Sequence, residues 1–286
     1  MGANADHQEA HEPRDGRKSS IVLLDTGKLT MGSATIGGNV CVRNGNNLDY
    51  CWKEAVASLL PVCDSVFVCD GESDDGTYQE LQEWAELEPK LAVCVYTWKD
   101  PKGDINFWTD WLNYARIHLH TDWHLQLDAD EVLHEKSYPE ILEFVEHGDR
   151  SAICTRHNFW LDHRHTIPEG VCVGKQVYRL APQRLWMPSD APNPLGAELC
   201  AMTVPSGIEI FHYGCLRKRE AFFEKAKLIQ DYFFSSHDPR LDVAEKLPGN
   251  WMKAECMSGW NHLLDPFTGT HPAIMKGWLL ERGYAP

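Results

Sequence analysis

The sequence predicts an α/β fold: a mostly parallel central sheet flanked by helices, followed by a mixed, loop-rich C-terminal half. Three observations predict it. Apolar strand-like runs alternate with helix-period segments from about residue 37 to residue 135, and such alternation implies right-handed βαβ units. Three of those runs close on a polar residue, Asn44, Asp70 and Asp128, and ligands of open α/β sheets bind beyond the carboxyl ends of the strands. After about residue 147 the regularity fades into strand-like runs without helices between them, as in a mixed extension.

Taken in order, "NVCVR" reads as a first buried strand, and "LDYCWKEAVASLL" follows with Leu48, Cys51, Trp52, Ala55 and Leu59 at helical spacing, stopped by Pro61. "SVFVCD" is the second strand, "DDGTYQELQEWAEL" a helix and "KLAVCVYTW" the third strand. Phe107, Trp108, Trp111, Leu112 and Ala115 share one helical face before the fourth strand, "WHLQLDAD". A helix over about 137–147 precedes three further strands, "AICTRHNFWL", "VCVGKQVYRL" and "IEIFHYG". A last amphipathic helix, from Arg217 to about residue 234, carries Phe222, Ala226, Ile229 and Phe233 on one face. No repeat or linker divides the chain, which predicts a single domain over residues 19–286 behind a disordered polar tail at 1–18.

Composition narrows the function. A chain of 286 residues with 43% hydrophobic and 24% charged residues can bury a substantial core. Its formal charge of −15 works against non-specific nucleic-acid or anionic-membrane binding, although a local basic groove for a nucleic acid is not excluded. No apolar run reaches the roughly 20 residues of a membrane helix, and no secretory core precedes the polar N-terminus. Ten cysteines include no C-x-x-C pair, and Cys41, Cys69, Cys94 and Cys154 lie inside apolar runs, so they read as reduced core residues. A cytoplasmic location is expected.

The chemistry concentrates in "HLQLDADEVLHE", where an apolar strand runs into Asp128, Asp130 and Glu131. Carboxylates are seldom buried unless paired or bound to metal, and two of them around a one-residue gap suit Mg2+ or Mn2+. A three-letter acidic pattern is usually a solvated loop, but this one ends a hydrophobic strand. The second strand end repeats the theme in "VFVCDGESDDGT". Ser73, Asp74 and Asp75 there are helix-capping types and Gly71 and Gly76 suit turns, yet capping does not need Asp70.

These segments resemble the nucleotide-sugar glycosyltransferases of the GT-A fold, family 2 in particular. "VCDGESDDGT" is similar to that family's strand-end signature and "LQLDADE" to its metal-binding D-x-D, in the same order from about Gly38 to Glu135. The resemblance implies a Rossmann-like, GT-A-like domain with a nucleotide-sugar-binding half at about 37–135 and an acceptor half, with C-terminal helices, at about 136–286. It implies that Val42, Arg43, Asn44, Asp70 and Glu72 line the nucleoside pocket. Asp128 and Asp130, with Ala129 between them, would hold the cation against the donor diphosphate. It places Asn113 near a donor contact, His212 in the metal shell and Arg217, whose fork suits phosphate, on the diphosphate. Gly71 stands where many relatives have a second Asp, which leaves the base and ribose contacts of that turn open. Inverting transfer also needs a carboxylate to take the acceptor proton, and Asp190, Glu198 and Asp162 are the candidates. Read as a metal site, Asp130 should be dispensable for folding of the metal-free protein.

The function so implied is metal-dependent transfer of a sugar from a nucleotide diphosphate to a hydroxyl of a glycan, a lipid-linked saccharide, a protein or a modified nucleobase. A sugar-phosphate nucleotidyltransferase is the first rival, but it needs a glycine-rich basic phosphate loop where "RNGNNLDY" has only Arg43. A non-catalytic sugar-binding or scaffold protein is the second, separable because it would not hydrolyse a donor. "GVCVGKQ" departs from a phosphate loop in spacing, and "DHRH" at 162–165, weighed with His157 as a metal cluster, reads as an exposed polar turn. Trp160 and Trp186 are the tryptophans expected to stack on an acceptor.

Overall fold

A computed structural model describes residues 34–99, 102, 107–168, 176–185, 203–233, 239–246 and 263–284. Its centre is four parallel strands in the order β3 (Leu91–Val95), β2 (Ser65–Asp70), β1 (Ile36–Val42) and β4 (Trp123–Asp128). Each is joined to the next in sequence by a helix: α1 (Trp52–Leu59), α2 (Thr77–Leu87) and α3 (Phe107–Ile117). This is the α/β, mostly parallel, helix-flanked sheet expected of a GT-A-like fold.

The apolar runs lack polar alternation because both faces of the sheet are covered. Val66 and Val68 point into one layer with Trp52, Val56, Leu59, Leu81 and Leu125. Phe67 and Cys69, one residue out of phase, point into the other with Phe107, Trp111 and Ala115 of α3. Each such side chain contributes about 1.5–3 kcal/mol on burial, so period-two alternation between two apolar layers fixes the register.

The second half adds antiparallel strands. β8 (Gln176–Pro182) runs against β4, with Leu125 opposite Leu180, and β6 (Ser151–Trp160) runs against β8. β5 (Glu131–Leu133), directly after the acidic turn, pairs with the end of β9 (Thr203–His212), with Glu131 opposite His212 and Val132 opposite Phe211. β9 also runs parallel to β6. α4 (Tyr138–His147), α5 (Arg219–Phe233), α6 (Pro239–Lys246) and α7 (Lys276–Glu281) complete the α-helices among the described residues. None of the described helices is long and apolar enough to cross a membrane.

Two expectations need correction. "DHRH" is not a turn but β7 (Asp162–Thr166), held between β6 and β10 (Asp265–Pro266); its polar residues are tolerated because it lies near the sheet's edge. Trp160 is buried with Ile167 and Phe223 and offers no face to an acceptor. Trp186, the 1–18 tail and most of "GVCVGKQ" lie outside the described residues.

Candidate active site at the strand ends

In the segments that follow β1 and β2, three non-glycine residues adopt positive φ: Asn44 at 51°, Asp49 at 51° and Glu72 at 58°. Such backbone is costly for an L residue and persists where surrounding bonds overdetermine it. Those bonds knit the two turns together. The Asn44 amide donates to Ser73 Oγ at 2.8 Å, Asn44 Oδ1 accepts from the Asp74 amide at 3.0 Å, and Arg43 Nε donates to Gly71 O at 3.0 Å. The Glu72 carboxylate accepts from the Trp98 amide, and the Arg43 guanidinium lies 4.4 Å from the centre of the Trp98 ring.

Gly71 has a steric reason. A Cβ there would come within 3.0 Å of Trp111 and Trp98 and 3.1 Å of Arg43, so aromatic rings occupy the space into which an acidic side chain would project. Asp70 beside it is fully buried. Its Oδ1 accepts from the Ser73 amide at 2.8 Å, whereas Oδ2 has no partner. Burial raises its carboxyl above the usual range, against the pull of the Ser73 hydrogen bonds. A buried acceptor without a donor costs about 1–3 kcal/mol.

The acidic turn after β4 is held by cations. Asp128, with its side chain 25% exposed, accepts from Arg179 Nη2 at 2.5 Å and from Gln126 Nε2 at 3.0 Å. Glu131 is fully buried and accepts from Arg156 at 3.0 Å and Arg179 at 2.8 Å. Asp130 Oδ2 accepts from Arg217 at 2.7 Å and Lys225 at 2.9 Å. Burial alone would raise the Asp130 carboxyl, but Lys225, His212 and Arg217 hold it well below its ordinary value. Glu131 is lowered in the same way: burial opposes, and Arg179 and Arg156 prevail. Three carboxylates thus meet four side-chain cations: Arg156, Arg179, Arg217 and Lys225.

The pairing of β5 with β9 carries His212 to this turn. Its Nε2 lies 3.5 Å from Asp130 Oδ1, and the Tyr213 amide donates to Asp130 O at 2.9 Å. Gly214 permits the approach, since a Cβ there would lie 2.6 Å from His212 Nε2 and 2.8 Å from Asp130 Oδ2. Among the described residues no group of three or more His, Cys, Asp or Glu is arranged around a metal position. The Asp130–His212 pair nevertheless fits a divalent cation that takes its remaining ligands from phosphate and water, as Mg2+ and Mn2+ do.

Of the residues singled out in the sequence, Val42, Arg43, Asn44, Asp70, Glu72, Asp128, Ala129, Asp130 and His212 all fall at or beside these strand ends. Asn113 is buried in α3, where its Nδ2 donates to Thr109 O and its Oδ1 accepts from Arg116. Arg217 is buried too, with Nε on Gly214 O and Nη1 on Leu48 O as well as Nη2 on Asp130. Asp162 Oδ1 accepts from the Arg164 amide and faces His165 Nδ1. Asp190 and Glu198 lie outside the described residues. Sequence reasoning missed Arg156, Arg179 and Lys225, whose carboxylate partners are 25, 48 and 95 residues away; no local spacing signals such pairs.

No family model matches the chain, and no curated protein is significantly similar to it in sequence. Among solved structures it is similar to residues 1–349 of TarS from S. aureus, at TM-score 0.42 and 13% identity, over 79% of this chain and 74% of that one. The mannosyltransferase PcManGT from Pyrobaculum calidifontis, in complex with GDP-Man and Mn2+, is similar at TM-score 0.35 and 20% identity over 44% of this chain and 36% of that one. A Bacillus anthracis protein named as a glucose-1-phosphate thymidylyltransferase, in complex with sucrose, is similar at TM-score 0.41 and 9% identity over 71% and 98%. At such scores the likenesses say nothing of what this chain does.

Proposed function

We propose that this chain is a nucleotide-sugar glycosyltransferase whose donor lies across the ends of β2, β1 and β4. The observation that carries the reading is Asp70: a fully buried carboxylate with an unpartnered oxygen, one strand away from the end of β1, whose other neighbour leads into the Asp130–His212 pair. Val42, Arg43 and Asp70 would receive the nucleoside, with Trp98 and Trp111 replacing the acidic turn residue that Gly71 lacks. Asn44 shapes that pocket through the bonds that join its two turns, and Glu72 through its bond to the Trp98 amide.

Asp130 and His212 would hold a divalent cation, Mn2+ or Mg2+, with Asp128 beside them. When bound, such a cation supplies Lewis-acid neutralisation of a leaving diphosphate. Arg217, bonded to three acceptors, orients Asp130; Arg179 orients Asp128 and Glu131 together. A carboxylate, Asp190 or Glu198, would take the proton of the acceptor hydroxyl. The acceptor class is a glycan, a lipid-linked saccharide, a protein or a modified nucleobase.

A thermal-shift panel of UDP-, GDP-, CDP- and dTDP-sugars with and without Mn2+ tests the proposal. One donor is expected to raise the melting temperature, more so with Mn2+, and to be slowly hydrolysed to its nucleoside diphosphate. No response to any donor would leave the non-catalytic scaffold as the better reading.

A further inference from the structure

We infer that Lys225 is a ligand of the donor diphosphate, so that nucleoside diphosphate binding persists, weakened, when divalent cations are removed. The inference rests on the glycosyltransferase reading and adds a residue to it.

Asp130 divides its oxygens. Oδ1 faces His212, and Oδ2 takes two cations, Arg217 at 2.7 Å and Lys225 at 2.9 Å. One is enough for neutrality, and Arg217 is the fixed one: its side chain is 1% exposed and bonded to Gly214 O and Leu48 O besides Asp130. Lys225 differs. Its side chain is 27% exposed, and an ammonium has three donors, of which Asp130 Oδ2 engages one. Tyr50 faces both cations, with its ring centre 4.4 Å from the Arg217 guanidinium and 4.8 Å from the Lys225 ammonium.

The charge count leads the same way. Asp128, Asp130 and Glu131 contribute three negative charges against four positive ones from Arg156, Arg179, Arg217 and Lys225. Those seven side chains, at a turn that looks acidic in sequence, sum to one net positive charge. Moving a second cation onto a carboxylate already paired costs desolvation without restoring balance; an arriving anion restores it. The chain as a whole carries a formal charge of −15, which opposes the approach of an anionic donor unless its pocket is locally positive. Lys225 is the part of that excess that reaches solvent, and it touches the same carboxylate that faces His212.

The test is isothermal titration of UDP, GDP, CDP and dTDP, and of the matching monophosphates, into the full chain in EDTA and in Mn2+. It compares wild type with Lys225→Met and Lys225→Arg, and thermal unfolding of each variant checks folding. Wild type is expected to bind one diphosphate in EDTA. Lys225→Met should lose roughly tenfold or more of that affinity, the worth of one charge-assisted hydrogen bond, and much less for the monophosphate. Lys225→Arg should recover most of it. Equal losses for diphosphate and monophosphate, or none, would overturn the inference, as would wild-type binding that vanishes entirely in EDTA yet appears in Mn2+. Failure of every nucleotide in both conditions would instead overturn the nucleotide-sugar reading, and the inference with it.

Discussion

Replacing Asp130 by Ala should destabilise the metal-free protein, contrary to what a bare metal-ligand reading of the sequence implies. The structure supplies the reason. Asp130 is the partner of Arg217, whose side chain is 1% exposed, and removing it strands that guanidinium in a low-dielectric site. Breaking a buried ion pair from one side costs about 3–5 kcal/mol. With an unfolding entropy of about 2.1 cal/mol/K per residue and 286 residues, the melting temperature should fall by about 5–8 °C. The assay is thermal unfolding in EDTA at pH 7. Removing both partners, Asp130→Leu with Arg217→Met, should recover most of the loss, because an apolar pair leaves no orphaned charge. The folded-state pKa of Asp130 is depressed, so the contribution is present above the unfolded value near pH 4 and disappears as pH falls through the folded one. The deficit of Asp130→Ala should therefore be the same at pH 7 and pH 5. A metal-free variant melting within about 1 °C of wild type would refute this reasoning and mark the carboxylate as a ligand without a structural part.

Acid should also weaken the fold through His124, which is fully buried on β4 with neither ring nitrogen in a hydrogen bond. Burial, helped by Arg116, lowers its pKa to about 3. The unfolded chain takes up a proton near pH 6.5 that the folded one refuses, so stability falls by about 2 kcal/mol between pH 7 and pH 5. His124→Leu should shrink that loss by about the same amount in urea titrations at the two pH values, and parallel profiles would contradict it. Asp70→Asn keeps the acceptor for the Ser73 amide and removes a buried charge with a raised pKa. Its stability at pH 7 should equal or exceed wild type while nucleotide affinity falls about tenfold or more; unchanged affinity in titration calorimetry would place the nucleoside elsewhere.

The parallel half was legible because its strands have one environment on both faces. "SVFVCD" coincides with β2, "WHLQLDAD" runs past the end of β4 by Ala129 and Asp130, and the helical face from Phe107 to Ala115 is the face α3 buries. "KLAVCVYTW" overran: β3 ends at Val95, after which the Tyr96 amide still bonds Asp70 O. β7 was misread because its polar side chains match a turn as well as a strand near a sheet's edge, and only pairing with β6 and β10 distinguishes them. Asp70, Asp130 and His212 stood out as candidates because each closes or follows an apolar run. The side chains that set the electrostatics did not. Arg179 and Lys225 sit in a strand and a helix whose patterns read as ordinary solvated charge, and only the sheet topology brings them to the acidic turn. Nor did the basic setting of Arg217, which suggested phosphate, signal that its side chain is buried and bonded to three acceptors.

The most direct measurement is a crystal structure soaked with Mn2+ and the nucleoside diphosphate that binds most tightly, with anomalous scattering to locate the metal. The account predicts an anomalous peak shared by Asp130 and His212, the diphosphate against Lys225 and the base end of the nucleoside above Asp70. A nucleotide bound away from the ends of β1, β2 and β4, or no metal peak between Asp130 and His212 at saturating Mn2+ and nucleotide, would contradict it.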